Sequence, residues 1–277
     1  MIEQASPKVI AIMCTYGRFT CVERAMNCYL AQTYPNKTLI IYNTDVDSPY
    51  IYDRWMAEHN ILIFNNNIDS QTLQPYTNVG AIRRDALDLI PIDEQGYVIT
   101  WDDDDVYMPY YIEQAIDRMA DTGLPSFKPE KSFFYSGNNL RLVKNTLEAS
   151  VVADIQKVRE YGYLLETGKE GLGWYTKLRD AGELDENDSY FLPSYCFNWN
   201  DGQAMNAPHK QSGDIDNPNN FNNHKEASKD AVNGRSLSIY DSQKLGEIYQ
   251  PYFDYIEAHQ SDFPLELVDK YFKRISL

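Results

Sequence analysis

Tyr97-Val98-Ile99-Thr100-Trp101 runs directly into Asp102-Asp103-Asp104-Asp105, and Pro109 follows a few residues later. The first five residues are β-branched or aromatic and read as a strand. The next four carry one sign of charge in a row, and neighbouring carboxylates disfavour one another's ionisation unless a cation neutralises them. Two explanations suit these residues taken alone. One is a solvated acidic turn leading into a helix, where aspartate caps the helix and meets the positive end of its dipole. The other is a site for a hard divalent cation with oxygen ligands. The choice between them depends on what surrounds the run.

Working outward, residues 8–14 read as a buried strand. After Thr15-Tyr16-Gly17-Arg18, the residues Val22, Ala25, Met26, Tyr29 and Leu30 recur on one helix face, and that helix ends before Pro35. Residues 38–42 and 61–64 read as further strands, 81–89 as a helix and 97–101 as the fourth strand. Ile112, Ala115, Ile116 and Met119 mark another helix, closed by Gly123 and Pro125. Strands alternating with helices predict an α/β fold with a doubly wound, mostly parallel sheet, in which ligands bind beyond the carboxyl ends of the strands. The aspartate run stands at such an end.

Beyond Phe133, Phe134 and Tyr135 the pattern is mixed, with helical segments near 151–161 and 172–181 and a strand-like run at 195–199. Residues 198–223 are rich in Asn, Asp, Gly and Pro and read as a long irregular loop of the kind that closes over binding sites. Near the C-terminus, Tyr249, Tyr252, Phe253 and Ile256 repeat at helical spacing, followed by Phe263, Leu267, Tyr271 and Phe272. This helical tail is expected to pack on the main body or on a second copy in a homo-oligomer.

The chain has 277 residues, with 25 Lys plus Arg against 41 Asp plus Glu, for a formal charge of -16. No basic run offers an electrostatic track for nucleic acid, so a polyanionic partner is disfavoured. No stretch of about 18 apolar residues is present and the N-terminal residues lack a basic-then-apolar pattern, so a cytoplasmic protein without an integral membrane segment is expected. Cys14, Cys21, Cys28 and Cys196 match neither a zinc site nor a disulfide framework and read as small buried hydrophobes.

The first strand with Thr15-Tyr16-Gly17-Arg18, the string Gln32-Thr33-Tyr34-Pro35-Asn36, then Asn78-Val79-Gly80, Arg84 and the aspartate run occur in an order and spacing that resembles the family two glycosyltransferases. The resemblance is clear over residues 8–109 and thinner over 161–212. It implies the GT-A fold and inverting transfer of a sugar from a nucleotide-diphosphate sugar. It also implies a donor-binding half at 1–125, an acceptor half with the Asn-rich loop at 126–235, and the tail at 236–277, all within one compact domain.

Carried over residue by residue, the family's D-x-D-D signature falls on residues 102–105. The resemblance then gives Asp102 the donor ribose and a share in the metal, Asp104 the metal itself, and Asp105 metal support. Asp103 belongs to the donor-binding run but is expected to face away. Manganese or magnesium suits such an oxygen-only site, and a divalent ion neutralises the charge growing on a departing diphosphate. Arg84 corresponds to an arginine near the diphosphate, with Arg83 beside it, and Arg18 closes the first-strand motif. Thr15 and Tyr16 fall where the family holds the nucleobase. Asn43 and Asp45 stand where the family carries an aspartate pair for the base, a departure that leaves the base open. His209 is matched to a late-loop histidine that completes the metal or phosphate site, with Lys210 adding charge for the diphosphate.

The family's catalytic base comes from an E-D pair at the start of a helix, followed at a fixed interval by glycine. Glu170 precedes Gly182 by twelve residues, but Gly171 stands where the aspartate belongs. Glu170 is therefore the candidate base, with Glu166 next. The missing aspartate also admits an alternative, a transferase-like nucleotide-sugar binding or scaffold protein; nucleotidyl transfer is the other, although only Gly17 and Arg18 stand where such enzymes carry a glycine-rich basic loop. The acceptor stays open among a glycan, a lipid-linked sugar, a protein and a hydroxylated DNA base. The last would need a basic face such as Lys128, Lys131, Arg141 and Lys144.

Overall fold

The computed structural model describes residues 6–165, 169–186, 192–198 and 234–275. Along the chain, β1 (Val9–Thr15) leads through α1 (Phe19–Leu30) to β2 (Lys37–Asn43), α2 (Arg54–Glu58), β3 (Ile61–Asn65), α3 (Val79–Asp88), β4 (Tyr97–Thr100), β5 (Val106–Tyr107) and α4 (Tyr111–Thr122). There follow β6 (Ser126–Phe127), the hairpin of β7 (Lys131–Ser136) and β8 (Asn139–Lys144), β9 (Val152–Asp154), α5 (Ile155–Tyr161), α6 (Leu172–Asp180), β10 (Leu184–Asp185) and β11 (Tyr195–Asn198). The tail consists of α7 (Ser242–Ala258), α8 (Leu265–Leu267) and a wider helical turn, Val268–Phe272.

Seven strands form the main sheet in the order β10-β6-β9-β4-β1-β2-β3. β1 lies at its heart, parallel to β2 on one side and β4 on the other, while β9 runs antiparallel to both β4 and β6. A strand covered on both faces needs apolar residues in unbroken sequence. Val9, Ala11 and Met13 point to the face packed by Met26, Tyr29, Ile112 and Tyr249, and Ile10 and Ile12 point to the face packed by Ala86, Leu87, Val158 and Trp174. A smaller sheet, β5-β11-β7-β8, stands beside it.

Trp101 ends the fourth strand without exposure and stacks on Tyr107 at 3.8 Å between ring centroids. Its indole N–H donates to the Ala25 carbonyl at 3.0 Å. A buried tryptophan of this kind typically contributes about 3–5 kcal/mol against alanine, so the base of the aspartate run is fastened to α1.

One expectation about these elements changes. Residues 151–161 are not one helix: Val152–Asp154 joins the sheet, and Asp154 then caps α5 by accepting from the N–H groups of Gln156 and Lys157. The aromatic tail packs on the chain's own body. Tyr249 donates to the Tyr107 carbonyl, Tyr271 donates to Asp117, and Tyr252 meets Phe133. Among the described residues the cysteines are free, and no helix is long and apolar enough to cross a membrane.

Candidate functional site

The aspartate run forms a tight turn between β4 and β5, closed from within by Tyr107. The Tyr107 hydroxyl accepts from the Asp102 N–H at 2.8 Å and donates to the Thr100 carbonyl at 3.3 Å. Successive side chains of the turn go in different directions. Asp102 faces α3, where Nη2 of Arg83 donates to its Oδ1 at 2.8 Å. Asp103 and Asp104 face the start of α1 and share the Arg18 guanidinium, with Nη1 2.8 Å from Asp104. Asp105 faces β11, accepting from the Tyr195 hydroxyl and from the Asn198 N–H at 3.1 Å. Backbone groups complete the turn, since the Asp104 carbonyl accepts from Arg24 and Asn198.

Four carboxylates are thus distributed over two buried arginines and a tyrosine. Asp103 does not face away: it is fully buried against Arg18, because a solvated position in so short a turn would leave Arg18 without half of its counter-charge. Burial pushes the Asp103 carboxyl up to about 6, with Arg18 opposing the rise. Burial together with the neighbouring aspartates pushes Asp105 well above the usual carboxylate range. Asp102 is also raised, burial outweighing Arg83. Asp102 keeps the most exposed side chain of the three ion-paired aspartates, at 29%, against 1% for Asp103 and 8% for Asp104.

Arg83 joins the run to the second half of the chain. Its Nη1 stands 3.3 Å from Oε1 of Glu170, without the alignment of a hydrogen bond, and Oε2 of Glu170 is buried with no partner among the described residues. Gly80 makes this approach feasible. A β-carbon there would lie 1.9 Å from the Leu164 carbonyl oxygen, and the Leu164 N–H in turn donates to the Glu170 carbonyl at 2.8 Å. Glycine lets α3 touch the backbone that carries Glu170, bringing Arg83 within reach.

Other residues singled out in the sequence fall in distinct places. Tyr16 is half-buried and Thr15 buried at the end of β1, beside Asp103. Arg84 turns from the run toward Asp69 at 2.7 Å and Asp85 at 2.8 Å, so the arginine that meets the aspartates is Arg83. Asn43 is wholly buried, its amide donating to the Asp45 and Ser48 carbonyls and to Asn65 while accepting from the Asp45 N–H. That amide is saturated by the loop it holds. Lys128 is removed from any basic face, being buried, donating to the Asn145 carbonyl and pairing with Glu186 at 2.9 Å. Glu166, His209 and Lys210 lie outside the described residues.

A divalent ion can be tested against this donor set. Asp102 and Asp104 each use one oxygen for an arginine, and the second oxygen of each takes no hydrogen bond from the described residues. No group of three acidic, histidine or cysteine side chains converges among the described residues. Two hard carboxylates suit an ion of the magnesium type, which is commonly held by one or two carboxylates together with substrate phosphates. The residues fit such an ion as two ligands of its shell.

A mostly parallel sheet flanked by a small second sheet, with helices on both faces, is the α/β arrangement of the GT-A fold. Among solved structures, S. aureus TarS 1-349 in complex with UDP-GlcNAc superposes with a TM-score of 0.56 at 12% identity, over 72% of this chain and 61% of that one. The same S. aureus fragment in complex with UDP gives 0.53 at 12% identity over 69% and 60%, and a further crystal structure of S. aureus TarS gives 0.52 over 72% and 37%. The chain therefore spans less than two thirds of these proteins, and at such identity the likeness is one of fold. No protein-family model matches the chain, and no curated protein matches it in sequence.

Proposed function

We propose that the chain is a family two, inverting glycosyltransferase that moves a sugar from a nucleotide-diphosphate sugar to an acceptor hydroxyl. The observation that carries this reading is the sorted aspartate turn at the rim of a GT-A sheet, with Asp102 and Asp104 each offering a second oxygen beside Arg18 and Arg83. Asp102 and Asp104 would hold manganese or magnesium, with Asp105 keeping the turn rigid. Held there, such an ion would supply positive charge to the diphosphate leaving group. Arg18 and Arg83 balance the carboxylates while the donor is absent and lend positive charge when it is bound. Tyr16, half-buried at the edge, offers a ring for the nucleobase. The base that accepts the acceptor's proton belongs to the carboxylates gathered around Arg83, with Glu170 foremost in the sequence.

The test is nucleoside diphosphate release from UDP- and GDP-sugars with manganese, with and without an extract of candidate acceptors. Asp104→Ala is expected to lose at least ~100-fold in turnover while keeping its circular dichroism spectrum, because Arg18 retains Asp103. Wild-type turnover in that variant overturns the reading. Gly171, in place of an aspartate, favours a second reading as a sugar-nucleotide binding protein. Calorimetric binding of a donor, with no release from it by the wild type under any condition, would establish that reading instead.

A further inference from the structure

Gly171 is the position where the resemblance calls for an acidic side chain, and its surroundings explain the missing one. A β-carbon on Gly171 would lie 2.2 Å from Cγ of Glu148, 3.2 Å from its Cβ and 3.3 Å from its Cδ. Glu148 opens a single 3-10 turn, Glu148–Ser150, directly ahead of β9. Its side chain passes through the volume that an aspartate at 171 would fill.

The destination of that side chain matters as much as its path. Glu148 is partly exposed, and its carboxyl lies within the electrostatic reach of Arg83, Glu170 and Asp102. Among the described residues no other side chain donates a hydrogen bond to it. Among the described residues, Oε2 of Glu170, which is 6% exposed, and Nε and Nη1 of Arg83, which is 5% exposed, have no hydrogen-bond partner, although Nη1 is ion-paired with Glu170. Buried polar groups left unmatched in this way call for an explanation, and a catalytic role is one.

We propose that Glu148 is the catalytic base of this chain, supplying from the turn before β9 the carboxylate that Gly171 lacks. The inference rests on the transferase reading. In the step, the acceptor O–H gives its proton to the Glu148 carboxylate as the acceptor oxygen forms its bond to the anomeric carbon. The bond from that carbon to the diphosphate oxygen breaks, its electron pair leaving on the diphosphate, and the proton on Glu148 then passes to solvent. Glu170, ion-paired with Arg83, is a positioning residue that steadies the guanidinium between Asp102 and Glu148. Burial also raises the proton affinity of Glu148, with Arg83 opposing, in the direction a base working near neutral pH requires.

The exchange of side chains between positions 148 and 171 can be reversed by mutation. The 277-residue chain is assayed with UDP-glucose, UDP-N-acetylglucosamine and GDP-mannose plus manganese, following nucleoside diphosphate release with water as acceptor and donor affinity by calorimetry. Glu148→Gln, which keeps the shape, is expected to lower kcat by ~100-fold or more with donor affinity within about twofold. Gly171→Asp alone is expected to lose both Tm and kcat through collision with Glu148. The double variant Glu148→Ala/Gly171→Asp is expected to regain at least ~10-fold in kcat over Glu148→Ala.

Glu148→Gln within about threefold of wild-type kcat, or no recovery in a folded double variant, overturns the inference while the transferase reading stands. A wild-type chain that releases nucleoside diphosphate from none of the donors overturns that reading and the inference with it. A Gly171→Asp variant as stable as wild type overturns the steric premise without any reference to activity.

Discussion

Gly80→Ala is the smallest change that tests how the two halves of the site are held together. The added β-carbon would sit 1.9 Å from the Leu164 carbonyl oxygen, where ordinary contact begins near 3.4 Å. The obstacle is backbone, so no side-chain rotation relieves it. Either α3 or the 163–165 segment must give way by roughly 1.5 Å, the difference between those two distances. Overpacking of this kind typically costs about 1–3 kcal/mol. At this chain length that corresponds to a Tm lower by roughly 2–12 °C. Arg83 rides on α3 and Glu170 is hydrogen-bonded to Leu164, so the same displacement widens the 3.3 Å approach between them. A misplacement of ~1 Å at reacting groups is worth on the order of 100-fold in rate. Calorimetric melting and nucleoside diphosphate release on one preparation measure both effects. Gly246→Ala is the control, because Gly246 lies within α7 and a β-carbon there meets nothing within 4 Å; it should leave the protein as stable or up to ~1 kcal/mol more stable. A Gly80→Ala protein with wild-type Tm and turnover would refute the claim that this glycine sets the spacing.

Two further outcomes follow from the buried charges. Arg83→Met removes the cation between Asp102 and Glu170 and is expected to cost ~3–5 kcal/mol in denaturant unfolding at neutral pH. Asp102 and Glu148 are already raised by burial against the lowering effect of Arg83, so in the variant they rise further above their unfolded values. A folded state that holds protons more tightly loses stability as pH rises, and the deficit should therefore shrink from pH 7.5 to pH 5; an equal deficit at both pH values counts against the argument. Tyr195→Phe leaves Asp105 with the Asn198 N–H but without its hydroxyl donor. The expected loss is ~1–3 kcal/mol in the same assay, and no loss would mean that the contact does not hold β11 to the turn.

The half of the molecule that is periodic was legible from residues alone. Val9 to Met13 and Leu39 to Tyr42 are apolar on both faces, and Asn78 announces α3 by capping the Ala81 N–H at 2.8 Å. β6, β9 and β10 were not legible, because two or three residues show no period and owe their conformation to the neighbours that pair with them. At β9 the clue was Asp154, whose cap shows where the strand stops and the helix begins. Placement of the aspartates at a strand end was readable, but the identity of their counter-charges was not. Arg83 and Arg84 are adjacent, and only the rotation of α3 decides that the first meets Asp102 while the second serves the loop at Asp69. Glu148, Tyr195 and Arg24 reach the site only through tertiary contacts, and nothing in their local sequence marks them.

The strand that carries the run has β1 on one side and β9 on the other. Its first neighbour is synthesised well before it, whereas the second emerges some fifty residues later. A nascent chain that has just delivered the aspartates therefore presents Val98 and Ile99 with an open edge, able to pair with any passing strand until Val152 and Ala153 arrive. Slowing translation between those two points should lengthen that interval, and premature termination within it should yield material that aggregates rather than a soluble donor-binding fragment.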